Sequence, residues 1–144
     1  MKLSSGLEEY IQAVNLQKPI LETLSDKFFS NLPQGITHSD FAADNILFNG
    51  DDVSAIIDFD TNRYGYVWRD IGRALISFTL NKNTISKNKI ISFIEGYSQH
   101  MPLDFSDALN SLRLTWCLEV TWWIQLHCFQ EKHDIHCLMH QTIL

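Results

Sequence analysis

The sequence predicts an α+β fold, mostly helical, with one small β-hairpin at its centre. Three observations carry that reading. Apolar residues recur at helical spacing before residue 32 and again after residue 65. Two short apolar runs, Ile46 to Phe48 and Val53 to Ile57, flank the turn signal "NGDD". The chain has 144 residues, 45% of them hydrophobic, which is enough for one compact core and argues against global disorder.

In chain order, Leu7, Tyr10, Ile11 and Val14 form an apolar stripe that predicts a helix over 4–17. Pro19 suits the first turn of a second helix, predicted to run to about Asn31. "LPQG" then breaks the chain, and the hairpin follows with a loop on each side. Beyond Gly65 the pattern is helical throughout: Tyr66 to Leu80, then Thr84 to His100 with Thr84 as cap and Pro102 as stop. A long helix capped by Ser106 extends to about Gln130, and the tail to Leu144 continues as helix. With no repeat, low-complexity segment or linker, residues 1–144 read as a single domain. Its chemistry is gathered in 35–60 and its helical remainder in 66–144.

The formal net charge of −6 disfavours nonspecific nucleic-acid binding, which needs basic patches to displace counterions. Three cysteines, Cys117, Cys128 and Cys137, form no disulfide framework and fit a reducing compartment. The N-terminus "MKLSSGLEEYIQAV" carries acids where a signal peptide needs an unbroken apolar run. The most apolar helix, "LRLTWCLEVTWWIQLHCF", contains Arg113, Glu119 and Gln125, which suits a buried helix better than a membrane span. A cytoplasmic protein with no membrane partner is expected.

The chemistry-bearing residues cluster around the hairpin. In "GITHSDFAADNILF", Asp40 and Asn45 precede the first strand; in "AIIDFD", Asp58 ends the second. A carboxylate at a strand end, opposite a loop Asp and Asn, suits Mg²⁺, which takes oxygen ligands and keeps phosphate oxygens and waters as the rest. Asp58 is then the main ligand and Asn45 the second, while Asp40 orients a hydroxyl and accepts its proton. Phosphoryl transfer needs this division, metal on the phosphates and carboxylate on the nucleophile. The bland alternative is that Asp and Asn are common turn residues. The full pattern, His-x-Asp-x4-Asn, strand, turn, then a strand ending in Asp, weighs against it. Asp40, Asp58 and Asp60 are expected to converge around one cleft.

"HSDFAADNILF" followed by "SAIIDFD" resembles the catalytic and metal-binding segments of the aminoglycoside phosphotransferase family, which includes choline kinases and a class of homoserine kinases. The resemblance covers about Leu32 to Ser77 and is nearest to the homoserine-kinase branch. It implies a protein-kinase-like C-terminal lobe, with ATP and Mg²⁺ as cofactors and a small-molecule hydroxyl acceptor: an amino alcohol, a homoserine-like compound or an aminoglycoside. Carried over, Asp40 matches the base, Asn45 and Asp58 the metal ligands, and Asp60 a second metal or substrate contact. His38 matches a loop-supporting His, and Asp70, in "WRDIGRAL", an Asp that braces the loop from the next helix. Ser39 stands where Gly is common.

The resemblance also implies an N-terminal lobe that this sequence does not show. Thirty-seven residues precede His38, they read as helical, and the six glycines form no G-x-G-x-x-G cluster. Lys2, Lys18 and Lys27 are the lysines upstream, none in a strand-like run. The N-terminal lobe is therefore expected to be absent, the chain inactive by itself, and an apolar docking surface exposed that promotes a homodimer. The competing reading is a noncatalytic binding or regulatory module on a truncated kinase-like scaffold.

Two further features carry alternatives. Trp116, Glu119 and Trp123 recur on one face of the long helix. Core packing is the default for such a stripe, and a substrate wall for a cationic or amino-bearing acceptor is the functional reading. His127, His133, His136 and His140, with Cys128 and Cys137, have spacing that suits zinc, against the bland reading of a helix end with incidental His.

Overall fold

The structure, a computed structural model, describes residues 2–81 and 84–123. Its elements in order are α1 (Lys2–Thr23), α2 (Asp26–Ser30), β1 (Gln34–Thr37), a 3₁₀ turn (Ala43–Asn45), β2 (Ile46–Asn49), β3 (Asp52–Ile56), a second 3₁₀ turn (Phe59–Thr61), β4 (Arg63–Tyr66), α3 (Trp68–Thr79), β5 (Leu80–Asn81), β6 (Thr84–Ile85), α4 (Lys87–Ser98) and α5 (Phe105–Trp123). The fold is mostly helical with small antiparallel sheets, as the sequence predicts. Its residues group into two compact units, 1–31 with 116–144, and 32–115. Among the described residues no helix is long and apolar enough to cross a membrane.

The first unit holds α1, α2 and the end of α5. Two expectations are corrected here. Pro19 does not begin a second helix: it lies inside α1, which continues to Thr23. A proline keeps helical φ, so a helix can carry it at the cost of one hydrogen bond and of a clash between its ring and the carbonyl four residues back. The break comes at Ser25 instead, whose extended backbone and side-chain bond from the Phe28 amide cap α2. On α5, Trp116 is entirely buried, which supports the core reading of the Trp116, Glu119, Trp123 stripe and removes Trp116 from a substrate wall. Glu119 is half-buried, and the side chain of Trp123 lies outside the described residues. So does the whole His- and Cys-rich tail, with its zinc reading.

The second unit is built around α3. Ile71, Ala74, Leu75 and Ile76 bury one face of it, and Ile46, Ile90, Leu103, Ala108, Leu112 and Leu114 are buried within the same unit. The spacing 71, 74, 75 is the apolar stripe of an amphipathic helix. Gly72 lies so close to Ser111 and Thr115 of α5 that a Cβ has no room there. Thr115 Oγ1 also donates to the Arg69 carbonyl, at 3.3 Å.

The hairpin forms as expected. β2 pairs with β3 in the register Leu47↔Ala55 and Phe48↔Val53, with a bulge between Leu47 and Phe48, and Gly50 takes φ +63 in the turn. A second antiparallel pair, β1 with β4, escaped the sequence reading, which placed no strand at either segment. Its ladder is extended by the Val67 amide, which donates to the Pro33 carbonyl at 3.0 Å, so α3 starts at Trp68 and not Tyr66. Two caps also differ. The short β5–β6 pair occupies Thr84, and Ser86 caps α4 by accepting from the Lys89 amide. Asp104, not Ser106, serves α5: its carboxylate accepts from the Asp107 amide at 2.8 Å, and Asp107 returns the bond to the Asp104 amide at 3.2 Å. In each case several hydroxyl or carboxylate residues compete near the helix start, and backbone pairing decides which is used.

Candidate active site

The candidate site lies wholly within the second unit, in the loop from His38 to Asn45, the segment 57–63, and the first two turns of α3. The loop is held from α3. Asp70 accepts from two successive amides, His38 N at 2.7 Å and Ser39 N at 2.8 Å, one on each carboxylate oxygen. Ser77 accepts from the Ala43 amide at 2.8 Å. These three bonds span more than thirty residues of sequence and satisfy backbone donors that the irregular loop leaves without a ladder.

His38 joins the loop to the segment after β3. Its Nε2 lies 2.9 Å from the Ile57 carbonyl oxygen, which can only accept, so Nε2 carries the hydrogen. Thr61 Oγ1 donates to the His38 carbonyl at 2.9 Å. The ring packs against Phe41 and Phe59, with centroids 5.8 and 4.8 Å away.

Asp40 is bracketed. Arg73 Nε donates to its Oδ1 at 3.1 Å, and Asn45 Nδ2 lies 3.2 Å from Oδ2 and 2.8 Å from the Asp40 carbonyl. With one donor on each oxygen the carboxylate is held in one orientation, still about 40% exposed. The Asn45 bonds also fix its amide: the nitrogen is committed to Asp40, so Oδ1 is the atom left for a cation. The Ile57 amide donates to the Asn45 carbonyl at 3.0 Å, which carries the hairpin ladder one step further and sets Asp58 next in line. Asp58 takes φ +64 and ψ +58, a left-handed conformation that Asp tolerates better than most residues. Its side chain does not cap the following turn and is exposed, as is Asp60.

Among the described residues no group of three or more His, Cys, Asp or Glu side chains is placed to hold a metal ion by itself. Asp40 forms its ion pair with Arg73, at 3.1 Å. Two oxygen ligands from Asn45 and Asp58 nevertheless suit Mg²⁺, which is usually held by one or two protein ligands together with substrate phosphates.

Ser39 is the second left-handed residue, with φ +68, and is buried. A non-glycine residue there costs roughly 1–2 kcal/mol. Its hydroxyl lies 2.8 Å from Thr37 Oγ1 and 3.1 Å from Arg63 Nε.

Arg73 and Ser77 were missed in the sequence. A signal for Arg73 exists: it stands three residues after Asp70 on α3, so a helix face that braces the loop through Asp70 also presents Arg73 to it.

Residues 3–101 match the family model described as the phosphotransferase enzyme family, and the chain belongs to that family. Among curated proteins it is similar to homoserine kinases. It is 34% identical to the homoserine kinase of Sinorhizobium fredii over 97 residues, 67% of this chain and 28% of that protein. It is 33% identical to that of Rhodopseudomonas palustris (strain TIE-1) over 79 residues, 54% of this chain and 24% of that protein. With the homoserine kinase of Agrobacterium fabrum the identity is 29% over 105 residues, 71% of this chain and 30% of that protein. The chain thus spans less than a third of the length of these relatives.

Proposed function

We propose that this chain is the acceptor- and metal-binding part of an ATP-dependent small-molecule phosphotransferase that phosphorylates a hydroxyl of a homoserine-like acceptor. The observation that carries the reading is the bracketing of Asp40 between Arg73 and Asn45, with Asp58 two residues beyond the end of β3 at Ile56. A carboxylate held in one orientation and still open to solvent can align a hydroxyl and take its proton as the bond to phosphorus forms. Mg²⁺, when bound, would neutralise charge on the nucleotide phosphates; Asn45 Oδ1 and Asp58 would hold it, with Asp60 as a further contact. His38 and Asp70 keep the loop in place. Family membership and similarity to homoserine kinases support both the reaction class and the acceptor. Turnover by this chain alone is expected to be very low. Phosphoryl transfer depends on positioning, and the sequence has neither a glycine-rich loop nor a strand lysine to hold the phosphates.

The test is metal-dependent stabilisation. A ligand specific for the folded state adds about 2.7 kcal/mol at a hundred times its dissociation constant. Mn²⁺ with ATP is expected to raise the melting temperature by a few degrees at millimolar concentration. Asp58→Asn removes that shift and Asp40→Asn keeps most of it. Equal responses from both variants and the parent would overturn the assignment of Asp58.

The hairpin is the partner surface in this proposal. Successive residues Leu47 and Phe48 are 45% and 53% exposed, Val53 opposite is 58% exposed, and Ile56 and Ile57 are exposed as well. A two-stranded hairpin with both faces in water is marginal, so a covering partner is expected, and a second copy serves when no other is present. Sedimentation velocity at rising concentration should show a dimer that Phe48→Lys weakens. A monomer at every concentration would rule this out.

A further inference from the structure

We infer that Arg63 is the residue that recognises the acceptor, and that it selects an acceptor bearing a carboxylate. This rests on the phosphotransferase reading above and goes on to name the residue that selects the acceptor.

The hydrogens around Arg63 can be placed one by one. Thr37 Oγ1 lies 3.0 Å from the Arg63 carbonyl, which only accepts, so the Thr37 hydroxyl hydrogen points there. The Ser39 hydroxyl, 2.8 Å from Thr37 Oγ1, must then donate to it. Arg63 Nε, a donor only, completes the chain by donating to Ser39 Oγ at 3.1 Å. Each hydroxyl donates once and accepts once. Thr37 and Arg63 are also ladder partners between β1 and β4, which fixes the backbone at both ends of the chain of bonds.

That arrangement explains why a serine sits in left-handed backbone at position 39. Glycine would hold the conformation without strain, so the side chain has a separate use, and its only polar partners among the described residues are Thr37 and Arg63. Ser39 is therefore a positioning residue for the guanidinium.

Arg63 itself is exposed, and none of the ion pairs among the described residues involves it, in a chain with net charge −6 and with Asp60 three residues earlier. With Nε turned inward, the edge formed by the two terminal nitrogens remains. That edge is a planar fork that matches a carboxylate with two parallel bonds. Ser39 directly precedes Asp40, so the fork is anchored one residue from the group that would receive the hydroxyl. An acceptor carrying a hydroxyl at one end and a carboxylate at the other satisfies both. A cationic alcohol is disfavoured by the guanidinium.

The experiment uses the full chain and three probes, with dissociation constants from ligand-observed NMR: L-homoserine, 3-amino-1-propanol (which lacks only the carboxylate) and ATP with Mg²⁺. Arg63→Ala is expected to weaken L-homoserine at least about tenfold, the usual scale for losing a charge-assisted pair, while the other two probes stay within about twofold of the parent on that scale. Ser39→Gly, which suits the backbone and keeps the amide bond to Asp70, should fold as the parent does and still weaken L-homoserine. The inference is overturned if Arg63→Ala binds L-homoserine like the parent, or loses all three probes equally, or if its main loss is ATP. A parent that binds the amino alcohol but not homoserine also overturns it and leaves the phosphotransferase reading standing. A parent that binds neither alcohol overturns both.

Discussion

Replacing Asp70 with Ala is expected to lower stability by about 3 kcal/mol, which is about 12–24 °C in melting temperature for a unit of this size. One carboxylate accepts both the His38 and Ser39 amides, at 2.7 and 2.8 Å, in a half-buried position. Hydrogen bonds to a charged group contribute about 1.5–3 kcal/mol each, and water can replace only part of that once the loop is packed. Asp70 also stands in the first turn of α3, where a negative charge adds a few tenths of a kcal/mol against the helix dipole. Asp70→Asn retains one acceptor but sets an amide NH₂ against a backbone N–H, so its loss should exceed half of the alanine value. Arg73→Ala is the contrast. Its ion pair with Asp40 joins side chains that are 32% and 40% exposed, and such pairs contribute less than about 1 kcal/mol. Urea unfolding followed by circular dichroism measures both. Similar midpoints for Asp70→Ala and Arg73→Ala would show that Asp70 does not hold the loop.

Gly72→Ala should be at least as damaging, and there the sign is decided by magnitude. Within a helix, Ala is favoured over Gly by roughly 1 kcal/mol, so propensity alone predicts a more stable protein. The added Cβ, however, would run into the Ser111 carbonyl and Thr115 Oγ1 of α5. The carbonyl is backbone inside a helix and cannot swing aside, so α3 and α5 must separate. Overpacking of that kind costs about 1–3 kcal/mol, and more when backbone has to move. A net loss of about 3 kcal/mol is expected, with the Thr115 bond to the Arg69 carbonyl broken as well. Gly96→Ala on α4 is the control, because nothing lies within 4 Å of a Cβ there. It should gain a few tenths to about 1 kcal/mol. If Gly72→Ala melts at or above the parent temperature, the close approach of the two helices is wrong.

The sequence by itself determined the local features. Asn49, Gly50 and Asp51 between two apolar runs specify a hairpin because the turn needs a left-handed residue, and Gly50 provides one. The amphipathic face of α3 is legible for the same kind of reason: a helix presents every third and fourth residue to one side whatever surrounds it. The grouping of His38, Asp40, Asn45 and Asp58 around that hairpin also follows from chain proximity, with at most twenty residues between them. Tertiary structure alone decided the pairings over greater separations. β1 and β4 are four residues each, with no alternation to mark them, and they pair because the chain returns past the hairpin to the same place. The end of α1 differs from the expectation because Pro19 is carried inside the helix, and the starts of α4 and α5 differ because several capping residues stand close together and the surrounding backbone selects one of them. Arg73 and Asp40 are thirty-three residues apart, and the sequence marks Arg73 only through its spacing from Asp70 on α3. Ser39 and Arg63 are likewise distant, twenty-four residues apart. Both contacts add to the chemistry read from the motif: Arg73 holds one oxygen of Asp40, and Ser39 holds the Arg63 guanidinium through Nε. Periodicity and turn chemistry act over a few residues and so are written in the sequence, whereas the direction of a long charged side chain depends on which distant backbone has been folded against it.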